Sequence, residues 1–241
     1  MRPEKSSWDR VGAWYDDITG KEGHYYHKEV ILPKLRPHLT KGLSRLLDIG
    51  CGQGVLSRAF PDVDYVGVDI APSLIAKAKE RSPKETFIIA DASQPLPVEG
   101  PFSHAVSILA LQNIAEPGGA IDNAARLLEP GGKLILVLNH PCFRIPRQSS
   151  WGVDEAKKWQ YRRVDRYMSP LSIPIDVRKE KTWSFHLPLS ALVTLLTDRG
   201  FLIEGLEEWC SNKESSGGSA KRENAARKEF PLFLMLVARL G

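Results

Sequence analysis

Short apolar runs alternate with segments of helical periodicity along most of this chain from Arg45 onward. Runs of this length that stop at glycine or polar residues predict buried strands, and they lie at residues 45–50, 64–70, 86–91, 102–109, 133–138, 201–207 and 230–239. Helices are predicted at residues 55–60, 72–81, 120–128 and 189–199. Apolar strands that alternate with helices indicate an α/β fold with a doubly wound, mostly parallel sheet of seven strands.

The segment before the first strand carries helical periodicity of its own. Pro37 and Gly42 are expected to end this helical pattern. We interpret the whole chain as a single domain with four parts. These are an N-terminal helical lid at 1–42, a ligand-binding core at 43–139, a cap insertion at 140–184 and the C-terminal part of the sheet at 185–241.

Two segments lack the regular alternation. The stretch at 140–184, after the fifth strand, is rich in Pro, Arg, Tyr and Trp. We predict that it caps the C-terminal edge of the sheet, because long irregular connections are uncommon and often functional. Residues 211–228 are rich in Ser and Gly and then charged, which predicts a mobile surface loop.

Composition sets broad limits on the class of protein. The 241 residues are 42% hydrophobic and 26% charged, which is typical of a globular domain. No run approaches the roughly 20 apolar residues of a membrane span, and the polar N-terminus lacks a signal-peptide pattern, so we expect a cytoplasmic protein. Cys51, Cys142 and Cys210 form no Cys-x-x-Cys pair, which predicts free thiols and no metal site.

A glycine-rich segment, LLDIGCGQG at 46–54, follows the first predicted strand directly. Its glycines let the backbone adopt positive φ and approach a ligand closely, and the next helix offers unpaired N–H groups. The G-x-G-x-G spacing differs from the G-x-G-x-x-G of dinucleotide sites, and no P-loop motif is present. Asp48 would oppose a pyrophosphate, whereas it suits S-adenosylmethionine, which carries a sulfonium and an ammonium group.

Two further aspartates end the second and third predicted strands. Asp69 stands where nucleotide-binding folds place an acidic residue that accepts hydrogen bonds from the ribose hydroxyls. Asp91 is placed to accept a hydrogen bond from an adenine amino group, with the amide of Ala92 beside it. The strand ends therefore predict a nucleoside site.

Taken in order, these motifs resemble those of the class I S-adenosylmethionine-dependent methyltransferases, especially the small-molecule branch with the ubiquinone/menaquinone-type and type 11 enzymes. The matching segments are LDIGCGQG (47–54), VGVDI (66–70), IIADASQPLP (88–97), SILALQNI (107–114) and LEPGGKLILVL (128–138). The resemblance covers roughly residues 8–139 and 183–240 and is weakest across the cap. It implies a Rossmann-like fold with S-adenosyl-L-methionine as cofactor and S-adenosyl-L-homocysteine as its product.

The resemblance also implies a set of donor-site residues. The glycines and Asp48 would surround the methionine part, Asp69 the ribose, and Asp91 with Ala92 the adenine. An N-terminal aromatic residue lies over the donor in such enzymes, and Tyr15 in WDRVGAWYDD matches it. The predicted donor-site residues are Tyr15, Asp48, Gly50, Cys51, Gly52, Gly54, Asp69, Ile70, Asp91, Ala92 and Leu109.

The methyl acceptor is expected outside the C-terminal strand ends, where open α/β sheets bind their ligands. The cap above this edge carries ten Lys or Arg residues against five Asp or Glu, with aromatic residues between them. An aromatic pocket with one or two arginines suits a planar, anionic small molecule. The predicted acceptor-site residues are Gln112, Asn113, Arg144, Trp151 and Tyr167.

Two histidines are candidates for a general base. Methyl transfer is an in-line displacement at an activated carbon, so alignment provides most of the acceleration. A base helps only where the acceptor must lose a proton. His140, at the end of the fifth strand, ranks before His186, and either can titrate near neutral pH.

Other functions stay open at this point. A net charge of +4 and a basic cap with exposed aromatic residues allow an RNA methyltransferase, although no RNA-binding module is recognisable. A protein or peptide acceptor and a non-catalytic S-adenosylmethionine-binding module are further alternatives. A nicotinamide-dependent dehydrogenase is disfavoured by Asp48 and the glycine spacing. We expect a small-molecule partner rather than nucleic acid, no membrane span, and no particular oligomeric state.

Overall fold

The computed structural model describes residues 8–40 and 42–241, which fold around a seven-stranded sheet. The strands of this sheet are β1 (Arg45–Ile49), β2 (Asp64–Asp69), β3 (Thr86–Ile89), β4 (Phe102–Ile108), β5 (Leu128–Asn139), β10 (Phe201–Trp209) and β11 (Phe233–Leu240). Outside it lie β6 (Ser149–Asp154), β7 (Trp159–Val164), β8 (Leu171–Val177) and β9 (Glu180–His186). The central sheet has the order β10-β11-β5-β4-β1-β2-β3. Only β11 runs antiparallel to its neighbours, so the predicted mostly parallel, doubly wound sheet is confirmed.

Helices cover both faces of this sheet. They are α1 (Trp8–Thr19), α2 (Leu32–Thr40), α3 (Val55–Ala59), α4 (Pro72–Arg81), α5 (Pro117–Leu127), α6 (Leu189–Thr197) and α7 (Ala220–Glu229). On one face, Ile121 of α5 and Leu196 of α6 belong to the same buried cluster as Leu134 of β5. On the other, Leu35 of α2 and Ile75 of α4 belong to a second cluster. Burial on both faces explains why the strands are continuously apolar.

The N-terminal segment is helical, as predicted, and it ends at Thr40 just before Gly42, but the predicted break at Pro37 is wrong. A π-helical turn, His27–Ile31, leads directly into α2, and Pro37 lies inside that helix rather than ending it. Proline removes one backbone hydrogen bond from a helix interior. Leu35 and Leu39 on either side of Pro37 are fully buried, so tertiary packing outweighs the loss.

The segment between β5 and α6 forms two antiparallel hairpins, β6–β7 and β8–β9, where the sequence indicated an irregular stretch. The turn residues Lys158 and Arg178 each have φ of +54° and are not glycine, so the usual hairpin signal is absent. The side chains of β7 alternate between exposed and half-buried, which gives no strong apolar pattern. The β8–β9 hairpin contacts the turn after β4; that it caps an acceptor stays a prediction.

The predicted loop at 211–228 contains helix α7 in its second half. This helix is charged and only weakly amphipathic, and its buried residue is Ala226, so its sequence carries little helical periodicity. It packs against β7, which shows that a partner element stabilises it. None of the helices in the described ranges is both long and apolar enough to cross a bilayer; the cytoplasmic location stays a prediction.

Candidate active site

The glycine-rich segment forms a tight turn between β1 and α3. Gly50 and Gly52 have φ of +79° and +53°, in the left-handed region that favours glycine. A Cβ atom added to Gly50 would also lie 2.3 Å from the Cβ of Ala110. The amides of Gly50 and Cys51 both donate to the carbonyl of Val68. The turn therefore presents bare backbone at the carboxyl ends of β1 and β4.

Asp69, at the end of β2, fixes the shape of this turn. Its Oδ2 accepts a hydrogen bond from the Gly52 amide at 2.8 Å, and its Oδ1 accepts one from the Ala71 amide at 2.9 Å. Burial raises the pKa of Asp69, and these backbone hydrogen bonds oppose that rise. Each carboxylate oxygen keeps a second acceptor site, so the predicted contact with ribose hydroxyls is chemically open to it.

Asp48 is a buried acid, 3% exposed, in the same region. The Tyr65 hydroxyl donates a 2.6 Å hydrogen bond to its Oδ2. Burial raises the pKa of Asp48 to about 7, and no cation is among the groups that shift it. An acid in this setting gains from a positively charged ligand, because an uncompensated buried carboxylate is costly.

Tyr15 on α1 closes the other side of the turn. A Cβ atom built on Gly52 would lie 3.6 Å from the Cε1 atom of Tyr15, so this ring stands over the glycine backbone. Together with Asp48 and the turn, Tyr15 borders a small cavity. The remaining lining residues are His27, Gln53, Val55, Leu56 and Ile108.

This cavity fits the donor predicted from the sequence. Its walls offer bare glycine backbone and one buried acid without a balancing cation, which suits the ammonium group of S-adenosylmethionine. A pyrophosphate would meet Asp48 in the cavity wall and no Lys or Arg among the cavity's lining residues. The residues that could hold the donor are thus Tyr15, Asp48, Asp69 and the glycine turn; their contact with it stays a prediction.

The other predicted donor residues lie around this centre. Ile70, next to Asp69, is 40% exposed although apolar. Asp91 is exposed, and its Oδ1 accepts hydrogen bonds from the amide and hydroxyl of Ser93. The carbonyl of the buried Ala92 accepts a hydrogen bond from Asn123. Leu109 has φ of +54°, and strain of this kind often occurs at functional sites.

Two further residues predicted to contact the donor, Cys51 and Gly54, belong to the turn and are packed against the protein interior. The Cys51 side chain is buried and borders the cavity, and burial raises the pKa of its thiol well above the usual range. Gly54 begins α3, and a Cβ atom there would approach the Phe87 ring at 3.0 Å. Direct donor contacts by these and the preceding residues stay predictions.

A second, larger cavity of about 200 Å³ opens beyond the ends of β4 and β5. Leu111 and Gln112 line one side, and Asn139 and Arg144 another. The β8–β9 side is formed by Leu171, Ser172 and residues 184–187. The Gln112 Oε1 accepts a weak hydrogen bond from the Asn139 amide at 3.3 Å. This position matches the predicted acceptor site at the C-terminal sheet edge.

Arg144 is half-buried in this cavity, and its guanidinium has no ion-pair or hydrogen-bond partner across the described parts of the chain. Its guanidinium lies 5.4 Å from the Phe233 ring centroid. Burial lowers the pKa of Arg144, and Arg162 nearby lowers it further. A guanidinium without a carboxylate partner is suited to an anionic ligand.

Three predicted acceptor residues lie elsewhere or face inward. Trp151 packs against Phe230 and stacks on Arg162, away from the cavity lining. The side-chain amide of Asn113 donates a hydrogen bond to the Leu109 carbonyl at 3.0 Å, which stabilises the turn after β4. The Tyr167 hydroxyl accepts a hydrogen bond from the Leu189 amide at 3.0 Å. These contacts are structural, so acceptor binding by the three residues lacks geometric support.

The two predicted base candidates differ in their free nitrogen atoms. His140 Nδ1 accepts from the Cys142 and Phe143 amides, and its Nε2 lies 2.7 Å from Glu208 Oε1. Both nitrogens of His140 are therefore occupied. His186 lines the cavity, and its Nε2 donates to the Tyr167 carbonyl at 2.7 Å. Its Nδ1 is then unprotonated and free to accept, so the geometry favours His186.

Sequence reasoning missed several residues that shape the site. Tyr65 could be found from its register, since it pairs with Leu46, two residues before Asp48. Gln53 is 1% exposed; its Nε2 donates to the Gly20 carbonyl at 2.5 Å and its Oε1 accepts from Arg58 at 2.8 Å. His27 borders the donor cavity, and no motif marked it. These contacts join segments distant in sequence.

A seven-stranded sheet with one reversed strand, a glycine turn after β1 and acids at the ends of β1 and β2 define the class I methyltransferase fold. A family model described as a methyltransferase domain matches residues 47–136. A demethylmenaquinone methyltransferase of Renibacterium salmoninarum is 31% identical over 149 residues, which are 56% of this chain and 61% of that protein. A ubiquinone biosynthesis O-methyltransferase of Xylella fastidiosa is 34% identical over 138 residues, 52% of this chain and 54% of that protein.

The fold comparison gives wider coverage. The crystal structure of an S-adenosylmethionine-dependent methyltransferase from Mesorhizobium loti superposes with a TM-score of 0.69 at 25% identity, over 86% of this chain and 96% of that one. The chain spans about 61% and 54% of the two curated relatives. In sequence and fold the chain is similar to the class I S-adenosylmethionine-dependent methyltransferases. These similarities agree with the family that the motifs predict.

Proposed function

We propose that this protein transfers a methyl group from S-adenosylmethionine to a planar, anionic small molecule bound in the second cavity. The observation that carries the proposal is Arg144, a half-buried guanidinium with no carboxylate partner in the described residues, on the wall of that cavity. The curated relatives are named for demethylmenaquinone and ubiquinone biosynthesis. Those names point to planar ring acceptors, in agreement with the largely apolar lining.

His24 stands near residues of both cavities. Burial lowers the pKa of His24 and Arg144 adds to this, and the His24 ring centroid lies 5.3 Å from that of His27 on the donor side. Bound in the donor cavity, S-adenosylmethionine supplies an electrophilic methyl group. The contribution of the protein is to hold both partners in line and to exclude water, which provides most of the acceleration in such displacements.

Proton removal, where the acceptor needs it, falls to His186 rather than His140. Burial lowers the pKa of His186, so its imidazole is neutral at neutral pH. Its free Nδ1 can then accept a proton from an acceptor hydroxyl. Turnover by His186→Gln and His140→Gln variants on an identified acceptor distinguishes the two; a loss confined to His140→Gln would contradict this assignment.

Labelled methyl transfer into a cell extract tests the proposal. The wild-type protein, Asp69→Ala and Arg144→Gln are each incubated with labelled S-adenosylmethionine, and the extract is split into small-molecule, RNA and protein fractions. We expect label in the small-molecule fraction, lost with Asp69→Ala and strongly reduced with Arg144→Gln. Nuclease-sensitive label would favour an RNA acceptor instead, label in protein a polypeptide acceptor, and donor binding without any label a non-catalytic module.

A further inference from the structure

His27 borders the donor cavity, although none of the sequence motifs includes it. It is 7% exposed, its Nδ1 is fully buried, and neither ring nitrogen has a hydrogen-bond partner within 8–40 and 42–241. A buried polar atom without a partner costs free energy, and such an atom in a native protein requires an explanation. The Nε2 atom is not among the fully buried atoms, so a ligand in the adjoining cavity can reach it and provide a partner.

The local backbone holds the His27 ring against this cavity. His27 begins the π-helical turn before α2, and π-helical turns are frequent at functional sites. Gly23, with φ of +85°, packs against it, since an added Cβ would lie 2.6 Å from the His27 Cβ and 3.0 Å from Val55 Cγ1. Val55 itself borders the cavity. The imidazole is thus fixed between the N-terminal segment and the start of α3.

The lining residues indicate which part of the donor His27 meets. It shares the cavity with Asp48, Gly50, Cys51 and Gly52, the part of the site predicted to surround the methionine moiety. Burial and the neighbouring His24 lower the pKa of His27 to about 4. A neutral imidazole can accept a hydrogen bond through one nitrogen and donate through the other.

We propose that His27 hydrogen-bonds the amino-acid part of the donor, through its α-ammonium or α-carboxylate group. This assigns the N-terminal lid a polar contact with the donor, in addition to the ring of Tyr15. The inference rests on the proposed function only for the identity of the donor, and it is independent of the acceptor.

Two ligands that differ only at the amino-acid part test this role. S-adenosylhomocysteine carries the amino and carboxyl groups, whereas 5′-methylthioadenosine has the same adenosine and thioether without them. Calorimetric titration of His27→Phe should show S-adenosylhomocysteine affinity reduced roughly 10- to 100-fold, as for a hydrogen bond to a charged group. Affinity for 5′-methylthioadenosine should be unchanged. His27→Gln, which keeps a polar atom near the Nε2 position, should restore part of the loss.

His104 offers a matched control. It is also buried, its Nε2 has no partner, and burial lowers its pKa to about 4, yet it pairs with Leu46 near the amino-terminal end of β4. His104→Phe should leave both affinities unchanged. Equal weakening of both ligands by His27→Phe, or no weakening, overturns the proposal. A wild-type protein that binds neither ligand overturns the donor assignment as well, so the two failures are distinguishable.

Discussion

At the scale of single residues, the charge state of Asp48 governs the donor cavity. Its carboxyl group is buried, and among its neighbours Tyr65 stabilises the ionised form through a 2.6 Å hydrogen bond. The pKa of about 7 places ionisation inside the physiological range. A ligand ammonium favours the ionised form, so binding and deprotonation of Asp48 are coupled.

We therefore expect S-adenosylhomocysteine to bind more weakly at pH 6 than at pH 8. Below the pKa of Asp48, the bound ammonium must displace a proton, which costs up to about tenfold in affinity per pH unit. Tyr65→Phe removes a contact that lowers this pKa, so the loss should begin at higher pH. Calorimetry at pH 6, 7 and 8 measures both effects, with exposed Tyr161→Phe as control. A flat profile between pH 6 and 8 would contradict the coupling.

Arg144 provides the residue-scale prediction for the acceptor. Arg144→Gln should raise the KM for an anionic acceptor roughly 10- to 100-fold, because it removes charge-assisted hydrogen bonds. Its affinity for S-adenosylhomocysteine should stay unchanged. Arg147→Gln is the matched control, since Arg147 is exposed and lies 2.8 Å from Asp176. Steady-state kinetics with both variants measure the change in KM. An equal change in KM for Arg144→Gln and Arg147→Gln would contradict the assignment of Arg144 to the acceptor site.

At the scale of elements, an ion pair and a hydrogen bond hold α1 against α4. Arg81 of α4 donates to both carboxylate oxygens of Asp16, at 2.5 and 2.8 Å, and both side chains are about 15% exposed. The Ser73 amide also donates to Asp9 at 3.1 Å. Tyr15 adjoins Asp16 in sequence, so this pair positions the ring over the glycine turn.

Breaking this pair should loosen the lid while the sheet stays folded. We expect Asp16→Ala to accelerate amide exchange across α1 and to weaken S-adenosylhomocysteine binding about three- to tenfold, the range for one to two weakened contacts. The control is Glu22→Ala, because the Glu22–Lys28 pair is exposed and such pairs contribute little. Unchanged exchange in α1 would show that other contacts hold it.

At the scale of the whole molecule, the N-terminal lid meets the β8–β9 hairpin across the top of the sheet. Arg10 lies 3.3 Å from Glu180, and Arg178 lies 3.7 Å from Asp17. All four side chains are substantially exposed, so these pairs add little stability. The N-terminal segment borders the first cavity through Tyr15 and His27, and the β8–β9 hairpin borders the second, so elements of the two cavities touch through weak contacts.

Ligand binding should raise the stability of the whole domain. A ligand at about 100 times its Kd stabilises the folded state by about 2.7 kcal/mol, which corresponds to roughly 5–10 °C in Tm for a domain of this size. We expect this shift with S-adenosylhomocysteine and none with NAD at equal concentration, in thermal unfolding followed by fluorescence. A shift with NAD alone would revive the dehydrogenase interpretation.

The sequence by itself determined the sheet, the glycine turn and the donor class. These follow from local signals: buried parallel strands are continuously apolar, and positive φ at Gly50 and Gly52 requires glycine. Asp48 and Asp69 end their strands, so their placement at one sheet edge also follows from strand order. The hairpins and α7 escaped prediction because Lys158 and Arg178 replace the usual turn glycine and because few side chains there are buried.

Only the tertiary structure decided which side chains have free polar atoms in the two cavities. The sequence ranks His140 before His186, yet contacts with Glu208 and two backbone amides occupy both nitrogens of His140, while His186 keeps its Nδ1 free. The Arg144 guanidinium has no carboxylate partner among residues 8–40 and 42–241, and His27 lines the donor cavity, for the same reason. Hydrogen-bond partners come from segments far apart in the chain, so no local pattern of residues can encode them.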